Sequence, residues 1–382
     1  MNLFRTRPGL RWAVPAVAAV LLTGTGATVT AISAAARSGL PPRSAAQLLV
    51  DVQNARVHGL SGTVVETTDL GLPSIPGVGD GGDSGLMSLI SGSHTLRLWY
   101  AGPRQMRLAL LGSFGESDII RNGSELWSWS STTRSATHEK LAPKAHKAGA
   151  AAPSAPSSAL PGVSGMTPQQ MAEAALSAIT PTTSVSTDGT ATVAGRSAYE
   201  LVLQPRSANS LIGSVRVAID GATHIPTRVQ VFARNATSPD IEVGFTSFSP
   251  HTPDASVFGF NPPPGTKVTK GSPLSSLGSS SGASRAPTGA TPKAPTAKVA
   301  PRVVGSDWTT VLVAGSPAMA GPGGGASGEL GSVLQTLPRV SGSWGSGRLL
   351  SGTLFSVLLT NDGRIAIGAV PPRLLYHALA AR

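Results

Sequence analysis

Segments in which every second residue is apolar dominate this chain. "HTLRLWYAG" (residues 94–102) puts Leu96, Leu98 and Tyr100 on one side of an extended segment, because successive strand side chains point to opposite faces. "RQMRLALLG" (104–112) does the same with Met106, Leu108 and Leu110. Gly102 and Pro103 separate the two, so they read as an antiparallel hairpin. "SDIIRNGSELWSWSS" reads as a second hairpin turning at Asn122-Gly123, and its return strand carries Trp127 and Trp129 on a shared face. The stripe recurs as Tyr199/Leu201/Leu203, Val215/Val217/Ile219 and Val229/Val231, with Gly221 in "IDGATHIP" marking the loop between the last two. "LSGTVVETT" and "IEVGFTSFSP" add further strands.

Helical spacing is rarer. "RSAAQLLVDVQNARV" sets Ala46, Leu49, Val50 and Val57 at helical intervals with Ser44 as N-cap. "TPQQMAEAALSAI" (167–179) has Thr167 as cap, Pro168 at the first helical position and Gln170 at capping-box spacing. The pattern therefore predicts an α+β chain dominated by one large antiparallel sheet with a single apolar face, which other elements must cover. Two helices seldom cover so wide a sheet. Either a curled sheet keeps an unfilled apolar pocket or side chains fill the space; the pattern leaves both open.

Punctuation divides the chain into a terminal segment at 1–36, a main domain at 43–270, a linker at 271–300 and a small α+β unit at 301–382. Gly-, Pro- and Ala-rich insertions interrupt the main domain near 71–91 and 142–165. At the start, Arg5, Arg7 and Arg11 precede an uncharged run from Trp12 to Ala36. That is the pattern of a secretory signal or a retained membrane anchor, and it predicts an extracytoplasmic body, secreted or membrane-anchored.

Charge narrows the partners. Lys+Arg 30 against Asp+Glu 19 gives +11, which suits an anionic membrane or wall surface. Nucleic acid is not expected, because no basic helix and no basic residues interleaved with exposed aromatics appear. The absence of cysteine excludes thiol chemistry, disulfides and an N-terminal lipid-modified Cys. "GGDSGL" (81–86) echoes the surroundings of a protease serine, but only His58 precedes it and no barrel fits upstream. The seven histidines lack ligand spacing, so neither a metal nor another cofactor is expected, and no catalytic set emerges.

"AGRSAYELVLQP", "SVRVAIDGATHIPTRVQVF" and "FGFNPPPGTKV" together resemble the second half of the LolA/LolB/RseB-like superfamily, especially its actinobacterial members. The residues that carry the likeness are Gly195, Tyr199, Leu201, Leu203, Asp220, Pro226 and Arg228, closed by Phe258, Phe260 and Pro264-Gly265. The resemblance spans about residues 43–270, with "LSGTVVETT" and "NGSELWSWSS" fitting its first half. It implies an incomplete antiparallel barrel wrapped around helices, with a cavity for a lipid or lipoprotein acyl chain. Its alternative implication is a regulatory module bound to an anti-sigma factor, or to another membrane-embedded partner such as a transporter. On that fold the striped residues become candidate cavity lining: Leu96, Leu98, Tyr100, Met106, Leu108, Leu110, Trp127, Trp129, Tyr199, Leu201, Leu203, Val215, Val217, Ile219, Val229 and Val231. The C-terminal unit resembles an extension of some relatives and is expected to dock on the barrel.

Overall fold

The computed structural model describes residues 40–72, 92–112, 115–141, 180–271, 301–315 and 336–381. The N-terminal segment, most of the 71–91 insertion with its "GGDSGL", the 142–165 insertion, the 167–179 helix and nearly all of the linker lie outside them.

Helix α1 (Ala45–Asn54) begins where the spacing placed it. Ser44 caps it and forms a reciprocal capping box with Gln47. The strands follow in order: β1 (Leu60–Thr68), β2 (Gly92–Tyr100), β3 (Gln105–Gly112), β4 (Gly115–Asn122), β5 (Glu125–Ser130) and β6 (Ser135–Lys140). Then come β7 (Thr183–Val193), β8 (Arg196–Pro205), β9 (Ile212–Asp220), β10 (Pro226–Ala233), β11 (Ile241–Ser249) and the short β12 (Lys267–Lys270). These form one open twelve-stranded sheet in the order β12-β6-β5-β4-β3-β2-β1-β11-β10-β9-β8-β7. Pairing is antiparallel except at the β6 edge, where β12 joins in parallel. The sheet curls enough for β7 to approach β11.

The β4–β5 hairpin differs by one residue from its expected turn. Asn122 pairs with Glu125, so Gly123-Ser124 is the two-residue loop, and Gly123 supplies the positive φ of +64° that such a loop requires. The expected Asp220 loop is tightly built. Its carboxylate accepts from the Arg196 guanidinium at 2.6 and 2.9 Å and from the Thr223 amide and hydroxyl, both at 2.8 Å. The residues quoted for the resemblance therefore do structural work: Tyr199 donates to the Pro41 carbonyl at 2.9 Å, and Arg228 reaches Glu200 at 3.3 Å.

The C-terminal unit is a six-stranded antiparallel sheet with one helix. Its strands are β13 (Arg302–Val304), β14 (Val311–Gly315), β15 (Arg339–Gly342), β16 (Gly345–Ser351), β17 (Ser356–Thr360) and β18 (Arg364–Gly368), ordered β13-β14-β18-β17-β16-β15. Helix α2 (Pro372–Ala380) covers one face, burying Leu375, Ala378 and Leu379 against Val311, Val313, Leu358 and Ala366. Among the described residues the chain is thus mostly β, with two α-helices. Of the helices expected inside the sheet, only α1 is described.

The unit docks on the large sheet. Leu211 donates its amide to the Ala369 carbonyl and Thr353 to the Leu70 carbonyl, both at 2.9 Å, while the Trp308 indole donates to Thr183 at 2.7 Å.

Candidate functional site

Cross-strand register decides which striped residues share a face, because partners in an antiparallel ladder point the same way. One row runs Leu203–Val215–Val231–Ile241–Thr68 across β8, β9, β10, β11 and β1. The next runs Leu201–Val217–Val229–Val243–Glu66–His94 and reaches β2. Alternation along the strands adds Tyr199 and Ile219 at one end, and Val64, Leu96, Leu98, Tyr100, Leu110, Leu108 and Met106 at the other. Fourteen of the sixteen candidates therefore lie on one face, which we call the striped face.

Trp127 and Trp129 do not. Trp127 pairs with Ile120 and His138, and Trp129 with Asp118 and Ala136, all on the opposite face. There the segment between β11 and β12 crosses β3 to β5 like a strap. It contains a 3-10 turn (Ala255–Phe258), and the Phe258 ring is fully buried. Phe260 packs on Trp127 at 5.3 Å and on Trp129 at 6.2 Å between ring centroids, and His138 stacks on Trp127 at 4.0 Å. His138 also bonds the Glu125 carboxylate, which holds Glu125 below its ordinary range. The tryptophan pair, grouped with the cavity on sequence, looks at the strap.

Under the strap sits an ion pair that the sequence did not disclose. Arg107 Nη2 donates to Asp118 Oδ2 at 2.5 Å and lies 3.8 Å from Glu116, while Arg107 Nη1 donates to the Val257 carbonyl at 3.4 Å. Burial pushes the Asp118 carboxyl up to about 6, although Arg107 pulls the other way. In sequence, "QMRLALL" and "ESDII" read only as alternating strands, with the charges at outward positions.

The striped face divides into three clusters. Tyr199, Leu201 and Ile219 lie under α1, packed on Leu48. Val215, Val229 and Val231, with Leu203 and Val217, lie under Leu70, Leu72, Trp308, Leu354 and Phe355; the last three belong to the C-terminal unit. The third cluster is Val64, Leu96, Leu110 and Val243 with Leu108, Ile241 and Phe245. Among the described residues this third cluster is built from the sheet alone. Beyond it Leu98, Tyr100 and Met106 are half-buried, as are Ile119 on β4 and Leu126 on β5, which register puts on the same face.

A buried carboxyl and an imidazole interrupt the aliphatic surface on the β1–β2 ladder. Glu66 is 4% exposed, between Val243 and His94, and accepts from the Thr68 hydroxyl. His94 Nδ1 is buried without a hydrogen-bond partner, and burial lowers the pKa of the ring, so the imidazole is neutral. The stripe pattern missed Glu66; the alternation of "GTVVETT", which puts Glu66 in phase with Val64, was the signal available.

Among the described residues no three His, Asp or Glu side chains gather to hold a metal, and no helix is long and apolar enough to cross a membrane. No family model matches the chain, and no curated protein matches it. Solved structures do show likeness. The MucA/MucB complex of Pseudomonas aeruginosa matches at 13% identity and a TM-score of 0.40, covering 88% of this chain and 96% of that one. An uncharacterised conserved protein of Thermus thermophilus matches at 11% identity and 0.31, covering 59% and 97%. A LolA superfamily protein of Nitrosomonas europaea matches at 9% identity and 0.22, covering 57% and 99%. The likeness is one of fold.

Proposed function

We propose that this chain is an extracytoplasmic protein that takes up an apolar ligand, a lipid or a lipoprotein acyl chain, on the β1–β3 part of the striped face. One observation carries the reading. Val64, Leu96, Leu110 and Val243, all buried, form with Leu108 an aliphatic cluster on which no described element lies, while α1 and the C-terminal unit cover the β8–β10 part of the face and Leu98, Tyr100 and Met106 stay half-buried. A sheet with one apolar face needs a cover, and an acyl chain supplies one, gaining about 0.8 kcal/mol for each CH₂ removed from water.

Native mass spectrometry of the protein purified without detergent, followed by organic extraction, tests the reading directly. A bound lipid of defined mass is the expected result. Leu108→Trp fills the cluster without touching α1 or the docked unit, so uptake should fall by about tenfold or more while the thermal transition stays cooperative. Undiminished uptake in a folded Leu108→Trp protein rules out this face. A protein that stays empty after incubation with envelope lipids points instead to the regulatory role that the sequence resemblance implies, with a membrane-protein partner.

A further inference from the structure

We propose that the strap over β3–β5 is a pH-sensitive cover, seated in acid and lifting more readily toward neutral pH to bare the aromatic surface of Trp127 and Trp129. The proposal concerns the face opposite the striped one and does not depend on the acyl-chain reading. Its basis is what the seated strap shuts in. Arg107 reaches both ways, donating through Nη2 to Asp118 Oδ2 at 2.5 Å and through Nη1 to the Val257 carbonyl of the strap at 3.4 Å. Glu116 stands 3.8 Å from the same guanidinium. Two carboxyls thus share one cation, which leaves a negative charge under the strap whenever both are ionised. Asp118 Oδ1, Arg107 Nε and Trp129 Nε1 are all buried without a hydrogen-bond partner, and Asp118 and Trp129 face each other across the β4–β5 ladder. Each such atom weakens the seated state, because lifting the strap returns it to water. The strap is also held lightly. Phe258 is its buried anchor, Val257 and Phe260 are half-buried, and most other residues between Ser249 and Lys267 are exposed. A proline run at 262–264 and Gly265, at φ +82°, lead it into β12.

Burial raises the Asp118 carboxyl to about 6, with Arg107 opposing and Glu116 adding to the effect. Seating therefore favours the protonated carboxyl, and a lifted strap returns Asp118 toward its ordinary value of 3.8. Acid favours the seat, and the balance moves toward lifting as pH rises from about 4 to about 6. Other charged groups share this face. Arg97 on β2 lies in the row of Asp118 through Ala109. Beside Trp127, His138 on β6 bonds Glu125 on β5, with Lys140 3.5 Å from Glu125 and Lys270 of β12 next to His138. The strap itself carries His251, bonded to Ser249, and Asp254, whose carboxylate accepts from the Ser256 amide.

Hydrogen exchange of the full chain at about pH 5 and about pH 7.5, each corrected for the intrinsic exchange rate, reads the strap directly. The reporters are the amides of Val257 and Gly259, which close its 3-10 turn on the Asp254 and Ser256 carbonyls. Their protection should fall about tenfold from the acid to the neutral condition, the change that carboxyl values of about 6 seated and 3.8 lifted require. Ladder amides of β3 and β4 should stay protected at both, because the sheet holds while the strap lifts. Asp118→Asn keeps the shape of the side chain without an ionisable proton and should give equal strap protection at the two pH values. Equal protection in the unaltered protein overturns the proposal, and that comparison does not depend on any variant folding. Loss of strap and ladder protection together overturns it as well, since the whole sheet would then be opening. A pH dependence that persists in Asp118→Asn also overturns it and assigns the effect to another group on this face, with His138 the first to replace.

Discussion

Arg107 and Asp118 illustrate how much a single buried pair can decide. Asp118 is 1% exposed and its second oxygen has no partner, so one close hydrogen bond to Arg107 offsets only part of the cost of losing water. A carboxyl raised to about 6 in the folded state, against 3.8 as its ordinary value, binds its proton more tightly folded than unfolded. Its stabilising contribution is therefore fully present below about pH 4 and is lost as pH rises through about 6. Asp118→Asn removes this dependence. The stability difference between Asp118→Asn and the parent should shift in favour of the variant on going from pH 5 to pH 7.5 in paired urea titrations. Arg107→Leu acts oppositely: it strands the carboxylate under the strap and should cost about 3–5 kcal/mol at pH 7.5, with a smaller loss at pH 5. A pH-independent difference for Asp118→Asn would mean that the carboxyl does not titrate under the strap. Asp220 behaves in the reverse sense. Burial alone would raise it, but Arg196 and Thr223 hold it below its usual range, so its contribution is present near neutrality and lost in strong acid.

At the scale of elements, the strands and hairpins were legible because alternation and turn residues are local. The capped helix α1, the β2–β3 hairpin and the Asp220 loop all stand where the pattern placed them. The face of each strand was not legible, because it depends on which neighbours pair. Trp127 and Trp129 have the same spacing as Leu108 and Leu110, yet β4 intervenes with Asp118 and Ile120 opposite the tryptophans and Ile119 opposite Leu108. Nor could the parallel β12–β6 pairing be read, since four residues flanked by lysines announce only an edge. What marks the strap in sequence is the pair Phe258 and Phe260 before a proline run. Phe258→Ala should cost about 3–5 kcal/mol, as for other fully buried aromatics. The loosened strap should shift tryptophan emission to longer wavelength as Trp127 and Trp129 become hydrated. A large stability loss with unchanged emission would show that the strap stays seated without its anchor.

For the whole molecule, the C-terminal unit determines how much of the striped face is available. Its docking was expected from sequence; its position was not, because "GTLFSVLL" reads as a strand and gives no sign that Leu354 and Phe355 insert over Val215, Val229 and Val231. The unit has a core of its own around Val313, Leu358 and Leu375. The docked loop nonetheless buries Leu354 to 5% exposure, and hydrogen bonds from Leu211, Thr353, Trp308 and Arg373 hold the two sheets together. Leu354→Asp puts a charge into that aliphatic cluster, which is costly unless the charge stays in water. The least expensive response is release of the unit, since its own core is untouched. The radius of gyration in solution should then rise, and amides of β9 and β10 should exchange faster. Uptake of a neutral apolar fluorophore by the large sheet should increase, because Val215, Val229 and Val231 lose the cover that the unit gives them. An unchanged radius with a lowered unfolding temperature would mean that the two sheets form one cooperative body, and the apolar site would then be confined to the surface around Leu96 and Leu108.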